Sequence, residues 1–175
     1  NLDMAVCRGC YRKATGYVSR VEHQMVEHIT AHVLLGPYIV SKDQIVRNDS
    51  CDTRRRPDLL LSSSQDGPHI ILECDEHQHQ QGNYNEKCES GRMDELIDEF
   101  KTGRIIFVRW NPHSYNLPQG GSPVTRADRL TRLESLLISL VQPSSQPRDH
   151  IEVHYMYYDQ ENPLVTTRFV THFHY

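Results

Sequence analysis

Apolar positions along the chain follow two rhythms. Val21, Met25, Ile29 and Val33 recur every four residues, the spacing of one helical face. Ser19, with Glu22 three residues on, reads as a capping box in front of them, and Gly36-Pro37 ends the run. Met93, Leu96, Ile97 and Phe100 predict a second helix over about residues 86–101, with Gly103 at its C-terminal cap. Leu130, Leu133, Leu137 and Leu140 predict a third over about 125–141.

The other rhythm is that of strands. Tyr38-Ile39-Val40 and Ile45-Val46 are short extended candidates. Asp58-Leu59-Leu60-Leu61 and His69 to Asp75 flank the turn Gln65-Asp66-Gly67-Pro68 and read as a hairpin. Arg104-Ile-Ile-Phe-Val-Arg-Trp110 is a continuous apolar run bounded by charge, as in a strand buried on both faces. Two alternating runs, 151–158 and 164–173, flank Asp159-Gln-Glu-Asn-Pro163 and predict a terminal hairpin. The expected fold is α/β: a central mixed sheet flanked by helices, with a C-terminal β-hairpin over 142–175 packed on a core of residues 19–141.

Composition narrows the class. Apolar residues make up 37%, alongside nine tyrosines and eleven histidines, which fits a compact core with a polar surface. No apolar run is long enough to span a membrane. Asn1-Leu2-Asp3-Met4 lacks the regions of a secretory signal, and without Met at position 1 the sequence is expected to be a piece of a longer chain. Five cysteines, an odd number, argue against a disulfide framework and for an intracellular, reducing compartment. The formal net charge of −4 gives no sign of nucleic-acid binding by itself, so local patches decide.

Three carboxylates carry the candidate chemistry. Glu73 and Asp75 alternate on one strand and so share a face, with Cys74 on the other. The hairpin brings Asp58 to the same edge. Converging carboxylates repel unless a cation lies between them, and oxygen donors suit Mg²⁺ or Mn²⁺. Such an ion activates water and stabilises a leaving oxygen. Pro57-Asp58 followed by Glu73-x-Asp75 resembles the motif pair of the PD-(D/E)xK nucleases, with Asp75 where that family usually has Lys. The longer string is Glu73-Cys-Asp-Glu-His-Gln-His79, then Tyr84, Cys88-Glu89, Arg92 and Ile105 to Tyr115. It is similar to uncharacterised proteins of large DNA viruses and some microbial eukaryotes, and these resemble very-short-patch-repair endonucleases.

The resemblance covers roughly residues 19–115 and touches Tyr155–Asp159. It implies a restriction-endonuclease-like nuclease core, DNA as partner and a nuclear or viral setting. Asp58 becomes the central metal ligand, Glu73 and the Cys74 carbonyl its neighbours, and Asp75 a ligand or water-positioner. His79 becomes a general acid/base, with His77 competing for the role, and Glu22 belongs to the metal's outer surroundings. Arg109, a charge on a buried-looking strand, needs a partner, and a carboxylate or phosphate there would serve. Arg92 pairs with Glu89 or touches phosphate.

Cys7-x2-Cys10, within residues 1–18, has the spacing of a zinc knuckle. Cys51 and Cys88, or else His28 and His32, would complete a structural zinc site. Arg54-Arg55-Arg56 abuts Asp58 and is expected to position DNA, while Arg126, Arg129 and Arg132 offer a second basic face or a merely solvated one. So small a basic footprint predicts weak, salt-sensitive binding, which a homodimer or a further domain would strengthen. The rival readings are a non-catalytic, zinc-stabilised nucleic-acid-binding module and an RNA-directed nuclease.

Overall fold

The computed structural model describes residues 20–44, 56–63, 67–79, 86–100, 103–142, 150–161 and 169–175, excepting the side chains of 79 and 86–88. Within them lie three α-helices, α1 (Val21–Ala31), α2 (Glu86–Glu99) and α3 (Arg126–Leu140), two short 3-10 turns and six strands. The strands are β1 (Ile39–Lys42), β2 (Leu59–Ser62), β3 (His69–Cys74), β4 (Ile105–Trp110), β5 (Ile151–Met156) and β6 (Val170–His174). They form one mixed sheet in sequence order. β2 runs antiparallel to both its neighbours, β1 and β3, and β3 to β6 are parallel.

Strand alternation divides the core in two. Leu59, Leu61, Ile70, Leu72, Ile106, Val108 and Trp110 face one way, against Met25 and Ile29 of α1 and Leu133 and Leu137 of α3. Leu60, Ile71, Ile105, Phe107, Val153 and Tyr155 face the other, against Met93 and Leu96 of α2. Every residue of β4 is buried, as expected of a strand covered on both faces. Among the described residues no helix is long and apolar enough to cross a membrane.

The structure departs from the sequence reading at three places. Arg20 occupies the N-cap of α1 without a side-chain cap bond; Ser19 lies outside the described residues, as does Ile45-Val46. Val33 is 81% exposed because α1 ends at Ala31, so position 33 falls in a turn instead of on the helical face. The C-terminal runs do not form a hairpin: β5 and β6 are parallel, with His154 beside His172. The thirteen residues between them (157–169) are long enough for a crossover, which parallel neighbours require.

Candidate functional site

The site grows from the C-terminal end of β3. Antiparallel pairing sets Leu59 opposite Leu72, which brings Asp58 level with the Glu73–Cys74 peptide. There the Cys74 N–H donates to Asp58 Oδ2 at 2.6 Å. Parallel pairing sets Glu73 beside Arg109 of β4, on the face covered by α2. Two guanidinium groups then meet the acids. Arg92 of α2 donates to Glu73 Oε1 at 2.6 Å and to the Arg56 carbonyl at 3.3 Å. Arg109 donates through Nε to Asp75 and through Nη1 to Glu89 at 2.8 Å. The Tyr158 hydroxyl, just beyond β5, also donates to Asp75.

Burial pushes Asp58 up to about 7; the Cys74 N–H opposes the rise, Glu22 and Asp75 add to it, and Arg92 opposes it. Burial likewise pushes Glu73 up to about 8, with Arg92 holding it down and Asp58 and Asp75 adding repulsion. Glu22 thus lies close enough to act on Asp58 from α1. Burial works against the Arg109 charge, but Asp75, Tyr158 and Glu89 outweigh it and raise its pKa. Cys74 is a half-buried free thiol packed on the α1–α3 side, and burial raises its pKa.

The three predicted carboxylates therefore share a neighbourhood but not a single point. Among the described residues their donor oxygens do not gather within 4.8 Å as a set, because Asp75 is held by Arg109 and Tyr158. Arg92 pairs with Glu73 and not with Glu89. Glu89 and Tyr158 were missed as members of the site. The buried charge of Arg109 was the signal for Glu89, since a cation there requires a counter-ion, and spacing could not say which acid would serve.

After Asp75 the chain makes a tight turn, Glu76–His79, in which His77 and Gln78 have φ of 56° and 54°. Left-handed backbone at two non-glycine residues is held by its contacts. The His77 ring stacks on His113 at 3.8 Å, and Gln78 Oε1 accepts from the Asp159 N–H at 2.8 Å. Burial, followed by the charge of His77, lowers the His113 pKa. The His79 side chain lies outside the described residues.

Other candidates fall elsewhere. His28 and His32 both reach Glu134 of α3 at 3.0 Å, an arrangement that clamps α1 to α3. Arg129 is 9% exposed, stands 4.9 Å from the ring centroids of both Tyr115 and Tyr157, and donates to the carbonyls of Val124, Asn111 and His113. It is a structural cation and takes no part in a basic face. Arg132 donates to the Tyr175 carbonyl at 2.6 Å. Arg56 is exposed beside Asp43; Arg54, Arg55, Cys7, Cys10, Cys51 and the Cys88 side chain lie outside the described residues. Compared with known families, with characterised proteins and with solved structures, the chain matches none.

Proposed function

We propose that the chain is a metal-dependent DNA endonuclease of the PD-(D/E)xK kind, with Asp58 and Glu73 as its carboxylate ligands for Mg²⁺ or Mn²⁺. One observation carries the reading. Two buried carboxylates meet at a strand end, Asp58 on the Cys74 N–H and Glu73 on Arg92, and burial still pushes them up to about 7 and about 8, so the pair carries more negative charge than Arg92 offsets. Mg²⁺ needs only one or two carboxylates and keeps several waters, so a set of two hard oxygen donors suits it. Asp75, held by Arg109 and the Tyr158 hydroxyl, serves in this reading as a fixed support for the β3 end. The mixed sheet flanked by helices agrees with the core that the resemblance implies.

The ion, when bound, would lower the pKa of a water and stabilise charge on the phosphate. The chain's own residues would do the rest. Asp58 and Glu73 would hold the ion, and Glu22 adds negative potential from α1. Arg56 and Arg92, at the mouth, attract the phosphate backbone. His79, on the turn after Asp75, is the general acid/base that the resemblance implies near the scissile phosphate. DNA is preferred to RNA on the resemblance alone.

The pairing of Arg92 with Glu73 favours a second reading, a binding module without turnover. There the guanidinium supplies the charge that an ion would otherwise bring. Plasmid nicking and RNA cleavage with Mg²⁺, Mn²⁺ or EDTA separate the readings. The endonuclease predicts metal-dependent nicking that Asp58→Ala abolishes while DNA binding persists. Binding with no cutting in any metal supports the module, and cleavage of RNA alone points to the RNA-directed enzyme.

A further inference from the structure

On the sheet face opposite α2, at the β5–β6 edge, a second group of donors collects. Glu152 and His154 are two residues apart on β5 and so share a face, and the parallel register sets His172 of β6 beside His154. One donor atom from each of these three residues lies within 4.8 Å of the others. Glu152 Oε2 is 3.8 Å from His154 Nε2 and 3.5 Å from His172 Nε2.

We infer that Glu152, His154 and His172 form a binding site for a divalent transition-metal ion, with zinc as the ion of choice. Two donors on a tetrahedral zinc, each bonded at about 2.0 Å, stand about 3.3 Å apart. The two separations from Glu152 exceed this by half an ångström or less, and the two imidazole donors lie within 4.8 Å of each other, so side-chain rotation brings the set to bonding distance. Two imidazoles and one carboxylate select zinc over the harder Mg²⁺, so this site and the one at Asp58 take different ions.

The surroundings prepare the ligands. The His154 side chain is 7% exposed, and its Nε2 is buried without a hydrogen-bond partner. A buried ring nitrogen left so is costly unless a ligand takes its lone pair. Its other nitrogen, Nδ1, is 2.8 Å from His174 Nε2. With Nδ1 protonated and donating to His174, Nε2 becomes the bare acceptor that a metal requires. Arg104 donates to Glu152 Oε1, which orients the carboxylate and leaves Oε2 toward the two imidazoles. Outer partners of this kind fix ligand tautomer and direction. His150 Nε2 is 3.8 Å from the same oxygen but outside the three-donor group, so the fourth position falls to water. The His172 side chain is 42% exposed, which gives the ion a way in.

The test uses the full chain, stripped of metal with EDTA and titrated with Co²⁺ as a visible substitute. The expected spectrum contains a tetrahedral cobalt component with nitrogen and oxygen ligation, lacking the near-ultraviolet thiolate charge-transfer band, and Zn²⁺ displaces it. His172→Ala, at an exposed edge, keeps the wild-type circular dichroism and loses that component. His174→Ala weakens binding by about 10–100-fold. A wild-type spectrum made only of thiolate-ligated or octahedral cobalt overturns the inference, as does an unchanged component in His172→Ala. The wild-type arm stands even if a variant unfolds, and none of these readouts depends on nuclease activity.

Discussion

Glu73 and Asp75 are two residues apart at the end of one strand, yet their charges are handled in opposite ways. Asp75 is fully buried and held by Arg109 and Tyr158, with Glu89 on the far side of the guanidinium. Glu73 has Arg92 on one oxygen, a side chain 21% exposed, and shares its surroundings with Asp58. The inner group is a closed network, built from the interior strand β4 and the segment after β5. Each group sets two carboxylates against one guanidinium, but the outer one has Glu22 acting on it as well and, among the described residues, lacks a hydroxyl donor like that of Tyr158, so it is the more negative. Burying an acid is therefore not what marks a candidate metal ligand; burying it without enough positive charge is.

Arg109→Met breaks the closed half. Asp75 and Glu89 would keep their burial and lose their shared cation, and removing one partner of a buried ion pair costs about 3–5 kcal/mol. Urea unfolding should show a loss of that size. A loss below about 1 kcal/mol would mean that the network is looser than its geometry indicates. This is the largest effect expected from a single change.

The open half is sharpened by pH. Folded-state values of about 7 for Asp58 and about 8 for Glu73 lie above the ordinary 3.8 and 4.5. Between these limits the folded chain holds more protons than the unfolded one, so stability falls as pH rises. The contribution is full below about pH 4 and gone above about pH 8, on the order of a few kcal/mol. Asp58→Asn should flatten that slope. Mg²⁺ should restore stability at the alkaline end and release protons on binding, which calorimetry in buffers of different ionisation enthalpy detects. A metal-free chain equally stable at pH 5 and pH 8 would count against both carboxylates being charge-deficient.

Arg129 offers a smaller version of the same contrast. Its guanidinium is closed by three carbonyls and two tyrosine rings, whereas Arg126 is exposed. Arg129→Ala should cost about 2–3 kcal/mol and Arg126→Ala almost nothing. If Arg126→Ala instead reduces the salt dependence of DNA binding, a basic surface on α3 exists without Arg129.

The sequence made the elements legible where local pattern and burial agree. Met25 and Ile29 of the i+4 series in α1 and Leu133, Leu137 and Leu140 of α3 found their faces because one side of each helix meets the sheet. The apolar run of β4 was readable because both its faces are covered. The C-terminal pairing was not readable. Alternation marks a strand but not its direction, and a turn-rich sequence between two strands fits a hairpin or a crossover equally well. In the site, Asp58, Glu73 and Asp75 were identifiable from hairpin spacing, and the need of Arg109 for a carboxylate followed from its place on a buried strand. The division of labour among the acids was hidden, because it depends on Arg92, Glu89 and Tyr158, which reach the β3 end from α2 and from beyond β5. The histidines of β5 and β6 were likewise invisible as a group until the parallel register set His154 beside His172.

Arg92 is the residue on which the open half turns, and its removal makes the finest test. The guanidinium lowers the pKa of both Glu73 and Asp58, so it also repels any ion that those carboxylates would bind. Arg92→Gln keeps a donor for Glu73 but deletes the charge. Well above pH 8, where proton competition has faded, the variant should bind Mg²⁺ about tenfold more tightly, a modest gain because solvent at the mouth screens the repulsion. Below about pH 7 the gain should shrink, since both acids hold their protons more firmly once Arg92 is gone. Calorimetric titration at the two pH values reads both trends. Weaker Mg²⁺ binding at the higher pH would mean that Arg92 orients Glu73 for the ion instead of competing with it.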